Sequence, residues 1–246
     1  MINLKLITML GFASSLLMAC ATSTQQGDME DEEKKNKGTL MLFSVKEPGT
    51  EVYRSEIFVN KSVMVMQDSR AGKDFLLFDR KTQTIYSTNS ADQTIFVIKP
   101  KPLTAKSPIA LEVVETSQPS GAIPKVESMR ATHYRYEVNG EHCYDAVAMP
   151  AEFMPEVAAA MKEFRTVLAA EHATTLDSMP EDTLDPCDLA QNIFYATKHY
   201  EHGLPIREWD RKGNQRFLLD YKKDVNLDPK GYELPKEYRQ YSISDM

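Results

Sequence analysis

The sequence predicts an α+β domain: a mainly antiparallel sheet with two helices packed on one side. Three observations lead there. Short apolar runs rich in β-branched and aromatic residues recur from residue 39 onward, with turn chemistry between them. The connections are too short for parallel crossovers, which need a dozen residues or more. Helical periodicity is confined to two stretches late in the chain.

In order, the strand candidates of the first half are "TLMLFSV", "EVYRSEIFV", "SVMVMQ", "DFLLFD", "QTIYST" and "QTIFVIK". Pro48-Gly49, Asn60-Lys61, Ala71-Gly72, Arg80-Lys81 and Asn89-Ser90 separate them as turns. "KPKPLTAKSP" is a proline-punctuated connection, after which "IALEVVET" and "KVESMRATHYRYEV" continue the sheet. Asn139-Gly140 is the strongest hairpin signal in the chain and leads into "HCYDAVAM". Residues 152–172 place Met154, Val157, Met161, Phe164 and Leu168 three and four apart, an amphipathic helix with Pro155 in its first turn. A second helix opens with Asp185 as N-cap and Pro186 at the first helical position, and ends before Gly203. "LPIREWD" and "QRFLLDYKK" return to strand around the turn Lys212-Gly213-Asn214, and the tail reads as a loop with a short terminal element.

Several strands are apolar at successive positions, as in Val63-Met64-Val65-Met66, Phe75-Leu76-Leu77-Phe78 and Ile95-Phe96-Val97-Ile98. A sheet with one wet face should alternate instead. Either both faces are covered by a plain core, or one face lines an enclosed apolar cavity. The cavity reading names Val63, Val65, Phe75, Leu77, Phe96 and Ile98 on the sheet, with Met161 and Phe164 on the first helix, as ligand-binding candidates. The 13 methionines suit a surface that repacks around varied apolar shapes.

The N-terminus says where the protein works. Lys5 precedes an apolar core that stops at Cys20 in "LITMLGFASSLLMAC", too short to span a bilayer and built like an export signal. Leu17-Met18-Ala19-Cys20 resembles a bacterial lipobox. That resemblance implies lipidation of Cys20, cleavage after Ala19 and a stable membrane anchor of several acyl chains. Ala21 in place of Asp implies the outer membrane, with the domain facing the periplasm. Residues 20–38, including "DMEDEEKKNKG", are too polar to bury a core and read as a lipidated flexible tether. The expected organisation is thus a signal peptide at 1–19, the tether at 20–38 and one β-rich domain at 39–246. Removal of the signal takes away one basic residue, Lys5, and moves the formal charge from −7 to −8. No basic patch stands out, so no nucleic-acid partner is expected.

With Cys20 lipidated, Cys143 and Cys187 remain as an even pair in an oxidising compartment, and a disulfide is expected. His142 is adjacent to Cys143, yet neighbouring strand side chains face opposite ways, which argues against a base–thiolate pair. His199 and His202 share a helix face, but two ligands do not make a metal site. "PEDTLDPCD" lacks the glycine and spacing of a calcium loop. No catalytic residues, metal or cofactor are assigned, and no enzymatic activity is expected.

The lipobox, the tether, the antiparallel meander, the two helices before the last hairpin and the tail Pro235-Lys236-Glu237-Tyr238 together resemble an uncharacterised family of bacterial envelope lipoproteins. That family looks related to the LolA/LolB-like lipoprotein carriers; "NGEHCYDAVAM" and "GLPIREWD" are the most suggestive pieces. The resemblance implies an incomplete β-barrel closed by helices over an apolar cavity that binds an acyl chain or lipoprotein lipid. The late helices and the Cys143/Cys187 pair depart from the carriers, so no functional residue is carried over. The alternative is a structural lipoprotein with a filled core that docks a protein partner in the envelope.

Overall fold

The computed structural model describes residues 36–121, 123, 125–180 and 183–243. The signal, Cys20 and nearly all of the tether lie outside the described residues. Strand β1 (Lys37–Lys46) begins two residues before the expected domain start.

One 12-stranded sheet organises the described residues, in the order β12-β6-β5-β4-β3-β2-β1-β11-β10-β9-β8-β7. The meander β1, β2 (Tyr53–Val59), β3 (Val63–Asp68), β4 (Leu76–Asp79), β5 (Thr84–Asn89) and β6 (Thr94–Ile98) follows the predicted runs. β7 (Val113–Pro119), β8 (Thr132–Val138) and β9 (Glu141–Met149) form a second meander, with Asn139 and Gly140 both at positive φ, as a primed hairpin turn requires. β10 (Leu204–Asp210) and β11 (Gln215–Asn226) join the two meanders, and β12 (Arg239–Tyr241) adds to β6. All pairings are antiparallel except β12 with β6. The end strands β12 and β7 do not pair, so the sheet does not close into a barrel.

Helix α1 (Pro155–His172) packs on one face of the first meander. It starts at Pro155 after Met154 in a left-handed conformation, and buries Val157, Ala160, Met161, Phe164 and Val167. Leu168, expected in the stripe, is only partly buried. The cross-strand row Val59, Met64, Phe78, Ile85 and Ile98 meets this helix, with Phe78 edge-on to Phe164 at 5.8 Å. Arg80 fixes the helix from the sheet side. Its Nε and second guanidinium nitrogen donate to the two Glu163 oxygens at 2.8 and 2.9 Å, and it also donates to the Asn60 carbonyl at 2.9 Å.

The second helical region is less regular than predicted. Asp185 caps α2 (Pro186–Leu189), accepting from the Cys187 and Asp188 amides. The chain then widens into a π-turn at Ala190–Phe194 and tightens into a 3₁₀ turn at Lys198–Tyr200. Two observations account for the break. Arg165 of α1 donates to the carbonyls of Gln191 (2.8 Å) and Ala196 (3.4 Å), drawing them from a regular ladder. Cys187 is tied to Cys143 of β9 by a disulfide, Cα–Cα 5.2 Å. Cys143 is the extra residue of a bulge, because Glu137 pairs with His142 and Tyr136 with Tyr144.

The face of the first meander away from α1 is also covered. Phe58, Leu77, Ile95 and Val97 lie there and are all buried. The chain leaving β11 is held at Leu227 to the Asn36 carbonyl beside β1, and at Arg239 to the Gln93 carbonyl beside β6. The connection therefore crosses from β1 to β6, a span of about 24 Å at the usual strand spacing, and we attribute the cover to it.

Candidate functional site

The sheet has a seam where the two meanders meet. β10 and β11 pair only through Arg207 with Phe217, Glu208 with Arg216 and Trp209 with Gln215. Beyond those pairs β11 stays with β1, and β10 stays with β9. Two bulges sit at the divergence, with Ile206 extra on β10 and Leu219 extra on β11. Pro205 brings no N–H to a ladder, which suits a strand that has become an edge.

The divergence opens a cavity of about 450 Å³. Met149, Ile206, Leu218 and Tyr221 line it from the strands, and Phe153 and Val126 from the segments that cross the gap. Phe153 stands edge-on to Tyr221 at 5.5 Å. At the mouth Phe217 and Leu219 are 42% and 45% exposed. Tyr221 and Lys223 reach across to Glu127, at 2.9 and 2.8 Å.

The sequence-predicted ligand residues divide between the two sheet faces. Ile98, Met161 and Phe164 belong to the packed core under α1, with Phe96 against it and 5.3 Å from the Tyr241 ring. Val63, Val65 and Leu77 point to the other face, and Phe75 lies just ahead of β4. None lines the seam cavity. Much of the sheet–helix interface is close-packed, and strand parity separates residues that a run apolar at every position makes look alike.

Met161 and Phe164 do touch a second cavity, of about 360 Å³, with a charged wall. There Arg216 donates through Nε to Glu208 at 2.9 Å and through a terminal guanidinium nitrogen to the Tyr200 hydroxyl at 3.3 Å. His199 Nε2 lies 3.1 Å from the other Glu208 oxygen. Burial pushes the His199 imidazole below its usual pKa. Burial opposes ionisation of Glu208, but the facing Arg216 and the His199 contact outweigh it and hold the carboxyl far below the usual carboxylate range. His199 and His202 do not converge: His202 lies 2.8 Å from Glu115 and stacks on Tyr134. Among the described residues no group of three or more His, Cys, Asp or Glu is arranged to hold a metal, and no helix is long and apolar enough to cross a membrane.

Sequence reasoning missed the fully buried Asp145 on β9. His133 Nε2 lies 2.7 Å and His142 Nε2 2.5 Å from its carboxylate, with Arg135 Nε at 3.4 Å. His142 thus serves Asp145, while Cys143 is committed to the disulfide. The signal was the spacing of "HCYD", which only the bulge at Cys143 makes productive.

No protein-family model matches the chain, and no curated protein matches it. Among solved structures, an uncharacterized conserved protein from Thermus thermophilus is similar over 90% of this chain and 99% of its own, at 9% identity and a TM-score of 0.42. PNGF-II is similar over 85% of this chain and 31% of its own, at 8% identity and a TM-score of 0.42. MucB is similar over 89% of this chain and 66% of its own, at 10% identity and a TM-score of 0.37. At these scores none of the three assigns a function or a fold family to the chain.

Proposed function

We propose that the protein is an outer-membrane lipoprotein, anchored through Cys20 and facing the periplasm, that holds the apolar chain of a lipid or lipoprotein. The domain is read as an incomplete barrel of the LolA/LolB-like kind whose ligand site is the seam between β10 and β11. The observation that supports this reading is the seam cavity. Its volume of about 450 Å³ falls within the roughly 300–1,000 Å³ of small-molecule sites, and Val126, Met149 and Phe153 give it an apolar lining. No catalytic step, metal, cofactor or nucleic acid enters the proposal.

Native mass spectrometry of protein purified without detergent tests it. Lipid should co-purify with the wild type and be lost from Val126→Trp, which fills the cavity from the segment between β7 and β8. Wild-type protein free of lipid would overturn the reading. It would favour a structural lipoprotein that docks a protein partner.

A further inference from the structure

The seam cavity is apolar along most of its wall but has one cationic end. The charged side chains lining it are Arg207 and Asp220. Arg207 faces Phe217 across the ladder, and Asp220 is three residues further along β11, so the two lie about 10 Å apart along the strand. The Arg207 guanidinium sits 5.0 Å from the Trp209 ring and, among the described residues, pairs with no carboxylate. This sets it apart from Arg80, Arg211 and Arg216, each of which holds an acidic partner.

Beyond Arg207 the wall is mixed, with Pro119 and Val147 beside polar groups. A smaller cavity of about 190 Å³ shares Arg207 and Ile123 with the seam cavity and adds Gln118, Ser120, His133 and Trp209. The next, of about 280 Å³, is lined by His133 and Arg135. Asp145, the carboxylate under this surface, is fully buried and already met by His133, His142 and Arg135. It cannot reach outward to neutralise Arg207. An exposed guanidinium with unused donors, at the end of an apolar cavity, matches a carboxylate or phosphate that is itself attached to a hydrocarbon chain.

We infer that the seam takes an amphiphile with an anionic head: the chain lies against Phe153, Met149 and Val126, and the head sits at Arg207, away from Asp220. This rests on the cavity reading above and adds the charge and orientation of its ligand.

Trp209 is the only tryptophan in the chain and touches Arg207, so its fluorescence reports on the head end. Dodecanoate and dodecyltrimethylammonium carry the same chain with opposite charge, and both are titrated below their micelle concentrations, with calorimetry as a second readout. Dodecanoate should bind at least about tenfold more tightly, the scale of one charge-assisted contact. Arg207→Gln should bring the two affinities within about twofold without lowering the melting temperature, because Arg207 is exposed. Equal binding of both probes to the wild type would overturn the anionic head and leave the cavity reading standing. A preference that survives Arg207→Gln would overturn the assignment to Arg207. Displacement of dodecanoate by millimolar inorganic phosphate would make this a free-anion site and overturn the amphiphile. Failure of both surfactants to bind would overturn the cavity reading itself.

Discussion

Removing the disulfide offers a worked test of how the second helical region is held. Cys143 and Cys187 are both buried, 44 residues apart, and the loop they close contains α1 and the following turn. On the chain-entropy model a loop of that length stabilises the fold by about 4 kcal/mol at 25 °C. For a domain of this size each kcal/mol moves the melting temperature by about 2–4 °C, so the expected fall is about 8–16 °C. Cys143→Ala/Cys187→Ala is preferable to serine, because serine would bury two hydroxyls without assured partners. Melting followed by circular dichroism should place the reduced wild type and the double variant together, well below the oxidised wild type. The native spectrum should change little. Asp185 still caps α2, Arg165 still holds the Gln191 carbonyl, and Arg211 still pairs with Asp185. A fall of less than about 3 °C would refute the loop-entropy argument. So would a reduced wild type that melts far from the double variant.

Two further perturbations act on buried charge. Arg80→Ala removes the donors that join α1 to the sheet and should cost about 2–3 kcal/mol in urea unfolding; a loss below about 1 kcal/mol would mean that solvent replaces the clamp. Because Arg80 also holds the Glu163 carboxyl below its usual range, that contribution is present above the unfolded carboxylate pKa and fades as pH falls through the folded one. The Glu208–His199 pair gives a second pH dependence. Burial lowers the His199 pKa, so the unfolded chain binds the extra proton first and stability should fall as pH drops below about 6.5, by up to ~1.4 kcal/mol per pH unit. Depression of Glu208 adds a loss in the same direction below the unfolded carboxylate pKa. His199→Gln should flatten the upper part of the profile, and an unchanged slope between pH 7 and 5 would contradict the assignment.

Much of the fold is legible in the sequence because it is written in local chemistry. Asn139-Gly140 and Lys212-Gly213-Asn214 both turn hairpins, Asp185-Pro186 caps a helix, and the first six strands match runs bounded by turn residues. The pairing of Cys143 with Cys187 is expected once Cys20 is set aside, and the two are joined. Other features depend on distant partners and leave little local trace. Leu227 to Tyr238 carries no periodic pattern, yet it is the segment to which we attribute the burial of Phe58, Leu77 and Val97. The second helix reads as continuous, while its carbonyls are in fact claimed by Arg165 of a different helix.

The candidate site was the least legible part, and the reason lies in what a doubly apolar strand can mean. Such a strand shows that both faces are covered, but not that one cover is loose. Here α1 buries most of one face of the first meander, and the other face is buried as well. The cavity arises where pairing stops, and pairing stops where two strands need different partners. Leu204-Pro205-Ile206 holds the clearest local sign: a proline inside an apolar strand cannot donate to a neighbour on that side. With Ile206 bulged and Leu219 bulged opposite, the ladder closes only at Arg207. The apolar side chains freed by the divergence have no second sheet to meet. They line a gap, and the first residue that closes it, Arg207, meets the Trp209 ring and, among the described residues, no carboxylate.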